Sequence, residues 1–244
     1  MTRGTEMYKY DLHALTADFT YGGRADISAE EAVEAHINAG YSGLVLTNPW
    51  GKKIFSDPSH EGKDIKQLAE EFLAAYEKIK TAAGNALDIF LGAEATVECA
   101  NGNFLLYGIT PEFLLEYEPD RADKDWFSDF ASYVHSRGDV LIYQATPFAP
   151  WSVVVDFSEE KKERMADGLE VYNHRRADIC CNHLAAARAA HYGVGAVSGS
   201  DLSYTGGGIG GGILTEEPIA SNADLVAVLK NRKYFLASEE NKNV

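Results

Sequence analysis

YKYDLHALT, residues 8–16, reads as a β-strand that carries an imidazole near its carboxyl end. Aspartate, leucine and histidine at this place resemble the beginning of a metal clamp. A second histidine two residues after His13 would complete it, but Leu15 stands there instead. Whether His13 is a ligand or the remnant of one depends on what the rest of the chain brings to the same end of the fold.

Strand-like and helix-like patterns alternate outward from this segment. SAEEAVEAHINAG, residues 28–40, opens on Ser28, carries Glu31 three residues later and closes on Gly40, which predicts a capping box, a helix and a glycine stop. SGLVLTN, residues 42–48, is a nearly continuous apolar run, as in a strand buried on both faces. Residues 63–84 form an amphipathic helical pattern, and LDIFLGAEATVE, residues 87–98, is strand-like. GNFLLYGIT, residues 102–110, reads as its hairpin partner. Helices are expected over 124–138, 158–167, 178–193 and 221–235, the last capped by Ser221 or Asn222. Strands are expected at DVLIYQATP (139–147), GLEVYN (168–173) and GVGAVSGSD (193–201).

About seven β–α units thus follow one another without a linker or repeat, and residues 1–244 read as one domain. The alternation implies a mainly parallel sheet with helices outside, either a barrel or a doubly wound sheet. Ligands of such folds gather at the carboxyl ends of the strands. Those ends offer His13, Asn48, Glu94, Thr146, Asn173 with His174, and Asp201. One imidazole and two carboxylates, His13, Glu94 and Asp201, suit a single divalent cation (Zn²⁺, Mn²⁺ or Fe²⁺). A hydrogen-bonded trio without metal fits them equally. Arg175 and Arg176 could grip a phosphate or carboxylate, or pair with nearby acids. Asp178 reads as a helix cap, and His36, His135, His183 and His191 as packed or surface residues within helices. GGGIGGG, residues 206–212, contains GxGxxG but lacks the strand-to-helix setting of a dinucleotide site, and no P-loop or GxSxG elbow occurs.

A formal net charge of −15 opposes nucleic acid and anionic membranes as partners. No apolar run reaches the roughly 18 residues that a membrane span requires. With three cysteines and no CxxC pair, a reducing, cytoplasmic setting is expected, with Cys180 and Cys181 packed in a helix.

Taken in order, YDLHALT, LVLTNPW, GAEATV, LIYQATPF, LEVYN and SGSD resemble the motifs of the PHP (polymerase and histidinol phosphatase) family from about Tyr8 to Tyr234. The resemblance implies a distorted (β/α)7 barrel. It also implies a cluster of up to three metal ions at the carboxyl rim that hydrolyses phosphate esters. The departures lie in the ligands. The family's HxH is His13-Ala14-Leu15, and the aspartate turn that follows is Tyr21-Gly22-Gly23. TDH is Thr47-Asn48-Pro49, AHP is Ala145-Thr146-Pro147, and GSDxH ends on Ser203. A histidine that follows EVYN would fall near Asp178. His13, Glu94 and Asp201 survive and, with the lost group at Leu15, would serve one metal position. Asp18, Asp57, His60 and Asp178 are loop groups that could replace lost ligands.

These features lead to the expectation of a divergent PHP-like barrel with an eroded metal cluster and weak or absent phosphatase activity. Its ligand would be a small anion held by Asn48, Thr146, Asn173, Arg175, Arg176 and Ser203. One alternative is an active mononuclear hydrolase with Glu98 or His174 as general base or acid. Another is a non-enzymatic ligand- or partner-binding protein.

Overall fold

The computed structural model describes residues 7–98, 101–122, 127–157, 166–178 and 181–237. The chain opens with β1 (Tyr8–Ala14), α1 (Ala29–Asn38), β2 (Gly43–Leu46), β3 (Pro49–Trp50) and α2 (Lys52–Phe55). There follow α3 (Ile65–Ala83), β4 (Asp88–Val97), β5 (Gly102–Tyr107), α4 (Pro111–Leu115), α5 (Pro119–Ala122) and α6 (Phe127–Ser136). β6 (Leu141–Ala145), β7 (Gly168–Asn173), α7 (Asn182–Tyr192), β8 (Gly195–Gly199), β9 (Ile213–Thr215), α8 (Asn222–Asn231) and β10 (Phe235–Leu236) complete it.

Local chemistry starts the helices where expected. Ser28 and Glu31 form a reciprocal capping box on α1, and Asp64 and Gln67 form another on α3. α3 buries Leu68, Phe72, Ala75, Ile79 and Ala83, a three- and four-residue spacing that turns one face to the sheet. Phe72 is wholly buried there, which is worth roughly 1.5–3 kcal/mol. Ser221, rather than Asn222, caps α8, since Asn222 instead binds the backbone of Leu91 and Ile109. Much of the helix expected over 158–167, and Cys180, lie outside the described residues. α7 begins at Asn182 after Cys181, so Asp178 is an exposed turn residue and not its cap.

The sheet runs β10-β9-β1-β2-β4-β5-β6-β7-β8, with β3 paired beside β4. β1, β2 and β4 are parallel, β5 is antiparallel to both of its neighbours, and β6, β7 and β8 are parallel again. Six principal strands therefore point their carboxyl ends to one rim, and β5 alone of the seven is reversed. The barrel closes there between β1 and the segment after β8. The Asp201 amide donates to the His13 carbonyl at 2.8 Å, and the Leu15 amide donates to that of Leu202 at 2.8 Å. At the other end β9 pairs antiparallel with Tyr8–Tyr10, and β10 pairs with β9. These two strands were not anticipated, because two or three residues carry too little periodicity.

Closure requires a close backbone approach at Gly199. A Cβ there would lie 2.5 Å from the His13 Cβ. Inside the barrel, Tyr10, Leu12, Phe90 and Tyr143 pack with Leu225 and Leu229 of α8, which seals the end opposite the rim. The Tyr107 hydroxyl reaches from β5 to donate to the Leu12 carbonyl at 3.0 Å. Among the described residues no helix is long and apolar enough to cross a membrane.

Candidate active site

The rim is assembled from interruptions of regular pairing. The β1–β2 register shifts between Asp11 and Ala14, and the β7–β8 register shifts between Glu170 and Tyr172. Such irregularities re-aim side chains. Here they accompany His13 and Glu170, residues 157 positions apart whose side chains meet. Thr146 and Asp201 hold left-handed backbone with φ of 43° and 53°, a conformation that non-glycine residues adopt rarely and that clusters at ligand sites.

His13 is wholly buried. Its Nδ1 donates to Glu170 Oε1 at 2.8 Å. Its Nε2 faces Asp201 Oδ1 at 3.7 Å and Glu94 Oε1 at 4.0 Å, and it makes no hydrogen bond. Burial alone would push the imidazole pKa down, but Glu170, Asp201 and Glu94 outweigh it and raise it to about 10. Glu170 is itself well supplied with donors. It also accepts from the Thr146 amide and from Asn173 Nδ2, both at 3.0 Å.

The other two acids are met by guanidinium groups. Arg24, on the loop after β1, contacts Glu94 directly and donates to the Tyr21 hydroxyl at 3.3 Å. Arg175 Nη1 lies 3.5 Å from Asp201 Oδ1 and donates to Ser203 Oγ at 2.7 Å. Arg176 Nε lies 3.7 Å from Asp201 Oδ2. Arg175 also lies over the Tyr204 ring, 4.4 Å from its centroid, and Arg176 over that of Trp151 at 5.0 Å. Glu94 and Asp201 are buried, whereas the three arginines are partly exposed, at 23–33%. Four cationic groups, His13, Arg24, Arg175 and Arg176, thus face three acids, and the arginines lie on the solvent side. The mouth sets guanidinium groups on its solvent side although the molecule as a whole is strongly acidic.

The structure therefore brings His13, Glu94, Asp201, Arg175, Arg176 and Ser203 together. Glu94 lies within β4 opposite Leu105, not at the end of a strand. Asn173 serves Glu170 and also accepts from the Arg176 amide at 3.0 Å. Asn48 is fully buried and accepts from the Thr16 amide at 2.9 Å, which makes it a loop anchor. Glu98 stands at the surface, paired with Lys52 at 2.7 Å. His174 lies under the glycine run, where a Cβ on Gly208 or Gly210 would meet its ring at 2.7 or 2.3 Å. Of the loop groups, Asp18 pairs with Lys78 and Asp57 caps a short turn. His60 packs on Phe19, and its Nε2 is 3.2 Å from the Thr20 carbonyl.

Two further groups at the rim lie outside the sequence expectation. Glu170 carried the same signal as Glu94, a lone carboxylate in an apolar strand. Arg24 carried none, because its partner is 70 residues away.

Several solved structures share this architecture. A two-domain protein from Bacteroides vulgatus, described as containing a PHP-like metal-dependent phosphoesterase, matches 95% of this chain with a TM-score of 0.63 and 14% identity. This chain spans only 64% of that protein's length. The fold is of the PHP type. A Bifidobacterium adolescentis protein described as a metal-dependent phosphoesterase matches 91% of this chain and 96% of its own, with a TM-score of 0.53 and 15% identity. PsfC from Pseudomonas syringae matches 91% of this chain and 88% of its own, with a TM-score of 0.62 and 14% identity. No family model and no curated protein matches the sequence.

A metal cluster of the PHP type does not fit the side chains at this rim. Glu94 and Asp201 already hold guanidinium partners, and Glu170 already accepts three hydrogen bonds, from His13 and two amide donors. Among the described residues, no group of three or more His, Cys, Asp or Glu side chains is set to hold a metal ion.

Proposed function

We propose that this PHP-type barrel binds a small anionic molecule at its carboxyl rim and has weak or no phosphoesterase activity. The observation that carries the reading is the pairing of both buried rim acids with arginines, Glu94 with Arg24 and Asp201 with Arg175 and Arg176. Such pairing neutralises the carboxylates from within. It leaves the outward N–H groups of three planar guanidiniums for a carboxylate or phosphate. Stacking on Tyr204 and Trp151 holds two of those arginines in place, which reduces the ordering entropy that binding must overcome. Ser203, bound to Arg175, adds a hydroxyl at the same edge.

The test combines metal analysis, turnover and binding on protein purified without chelator. Expected results are well under one equivalent of metal, no hydrolysis of an aryl phosphate with Mn²⁺ added, and saturable, salt-sensitive binding of inorganic phosphate. One equivalent of metal together with turnover would instead favour a mononuclear hydrolase. The unpartnered His13 Nε2, which faces two acids, is the observation on that side. In that reading His174 would be the remaining acid–base candidate, since Glu98 is tied to Lys52 at the surface.

A further inference from the structure

Glu94, on β4, and Asp201, in the segment after β8, are both buried and both face the Nε2 of His13. Two carboxylates so close repel each other unless a positive charge lies between them or beside them. Arg24 is placed to supply that charge. Its guanidinium contacts Glu94, and it is near enough to Asp201 for the two charges to interact. The loop that carries it is fixed at both ends by backbone hydrogen bonds, Ala17 to Ile27 at 2.8 Å and Asp26 to Ser203 at 2.9 Å.

The three groups around it form a mixed nitrogen and oxygen donor set. A divalent first-row cation bonds such donors at about 2.0–2.2 Å, so neighbouring donors on one ion stand about 3.0–3.6 Å apart. The spacings of 3.7 and 4.0 Å from Nε2 are a little wider, so the trio as it stands is not set to hold an ion and would have to draw in to close on one. His13 Nε2 is also a buried polar atom without a hydrogen-bond partner, a state that generally signals a missing neighbour. What excludes an ion is the charge already present: the Arg24 guanidinium touches Glu94, whereas Arg175 and Arg176 stand farther off, at 3.5 and 3.7 Å from Asp201.

We propose that the Arg24 guanidinium is a tethered substitute for a divalent cation, and that trimming it uncovers a one-cation site on His13, Glu94 and Asp201. This inference rests on the anion-binding reading above, in which the unaltered rim takes no metal. It gives both acids a role, as counter-ions to a side chain, that needs no bound ion.

The experiment compares the full chain with its Arg24→Met variant, which keeps the apolar stem and removes the charge. Each is dialysed against Co²⁺. Bound metal, visible absorption and Tm are read with and without the ion. The parent is expected to take up no Co²⁺. Arg24→Met should bind one equivalent, melt below the parent without metal and regain most of that loss with it. Adding His13→Ala should abolish the uptake. If Arg24→Met does not fold, Arg24→His is used; it places a neutral donor at the same loop position and should bind Co²⁺ likewise. Failure of both variants to bind more Co²⁺ than the parent would overturn the inference and leave the anion-binding reading standing. One equivalent bound by the parent would overturn that reading first, and the inference with it.

Discussion

Two regions of the barrel bury carboxylates, and they do so in opposite ways. Behind the rim, Asp11 has no solvent exposure. It accepts from His36 Nε2 at 2.9 Å, from the amides of His13 and Ser200 at 3.0 and 2.9 Å, and from the Ser200 hydroxyl. At the rim, Glu94 and Asp201 depend on arginines that reach in from partly exposed positions. In the inner region, short-range donors fixed by the backbone satisfy the charge, and nothing remains for a ligand. The rim charges are satisfied by side chains on the solvent side. The inner acid therefore holds β1, α1 and the segment after β8 together, whereas the rim acids aim cations at the solvent.

The largest expected effect lies in the inner region. Asp11→Ala strands the His36 nitrogen and two amides in a dry site and should cost about 3–5 kcal/mol, read by denaturant unfolding. A loss under about 1 kcal/mol would erase the contrast. Burial raises the Asp11 pKa, but bonds from His36, Ser200 and the His13 amide outweigh it, so the folded value lies below the usual carboxylate range. The sign follows from linkage. This stabilisation is fully present above the unfolded value of about 3.9 and disappears as pH falls through the lower folded value. Unfolding below about pH 4 should therefore depend less steeply on pH in Asp11→Asn than in the parent.

Glu94→Gln should show an intermediate effect with two directions. Losing the pair with Arg24 costs about 1–2 kcal/mol, while the freed guanidinium tightens phosphate binding at least about threefold, measured by calorimetry. Weaker binding would mean that Glu94, and not the cations, shapes the mouth. Arg176→Ala should change stability by less than about 1 kcal/mol, because the arginine is one-third exposed, yet weaken phosphate binding several-fold. The smallest change belongs to Glu98→Ala, within about 0.5 kcal/mol and without effect on phosphate binding. A clear loss of binding there would return Glu98 to the site.

Much of the fold was legible in local chemistry. The Ser28–Glu31 box, the 42–48 apolar run and the spacing along residues 63–84 each report on contacts within a few positions, and each element formed where they indicate. The trio His13, Glu94 and Asp201 was legible because ionisable groups are conspicuous at strand ends or in apolar strands. Glu170 was passed over within GLEVYN, although its setting is the same.

By itself, then, the sequence determined the alternation of elements, since side-chain periodicity and capping act over one or two turns. That pattern left a barrel and a doubly wound sheet open, and only the resemblance of the motifs pointed to the barrel. Only the tertiary structure decided the meeting of His13 with Glu170 and the reach of Arg24 to Glu94. These depend on closure of the barrel, which brings together charges 70 and 157 residues apart. Coulomb pairing follows distance in space and leaves no local pattern in the chain.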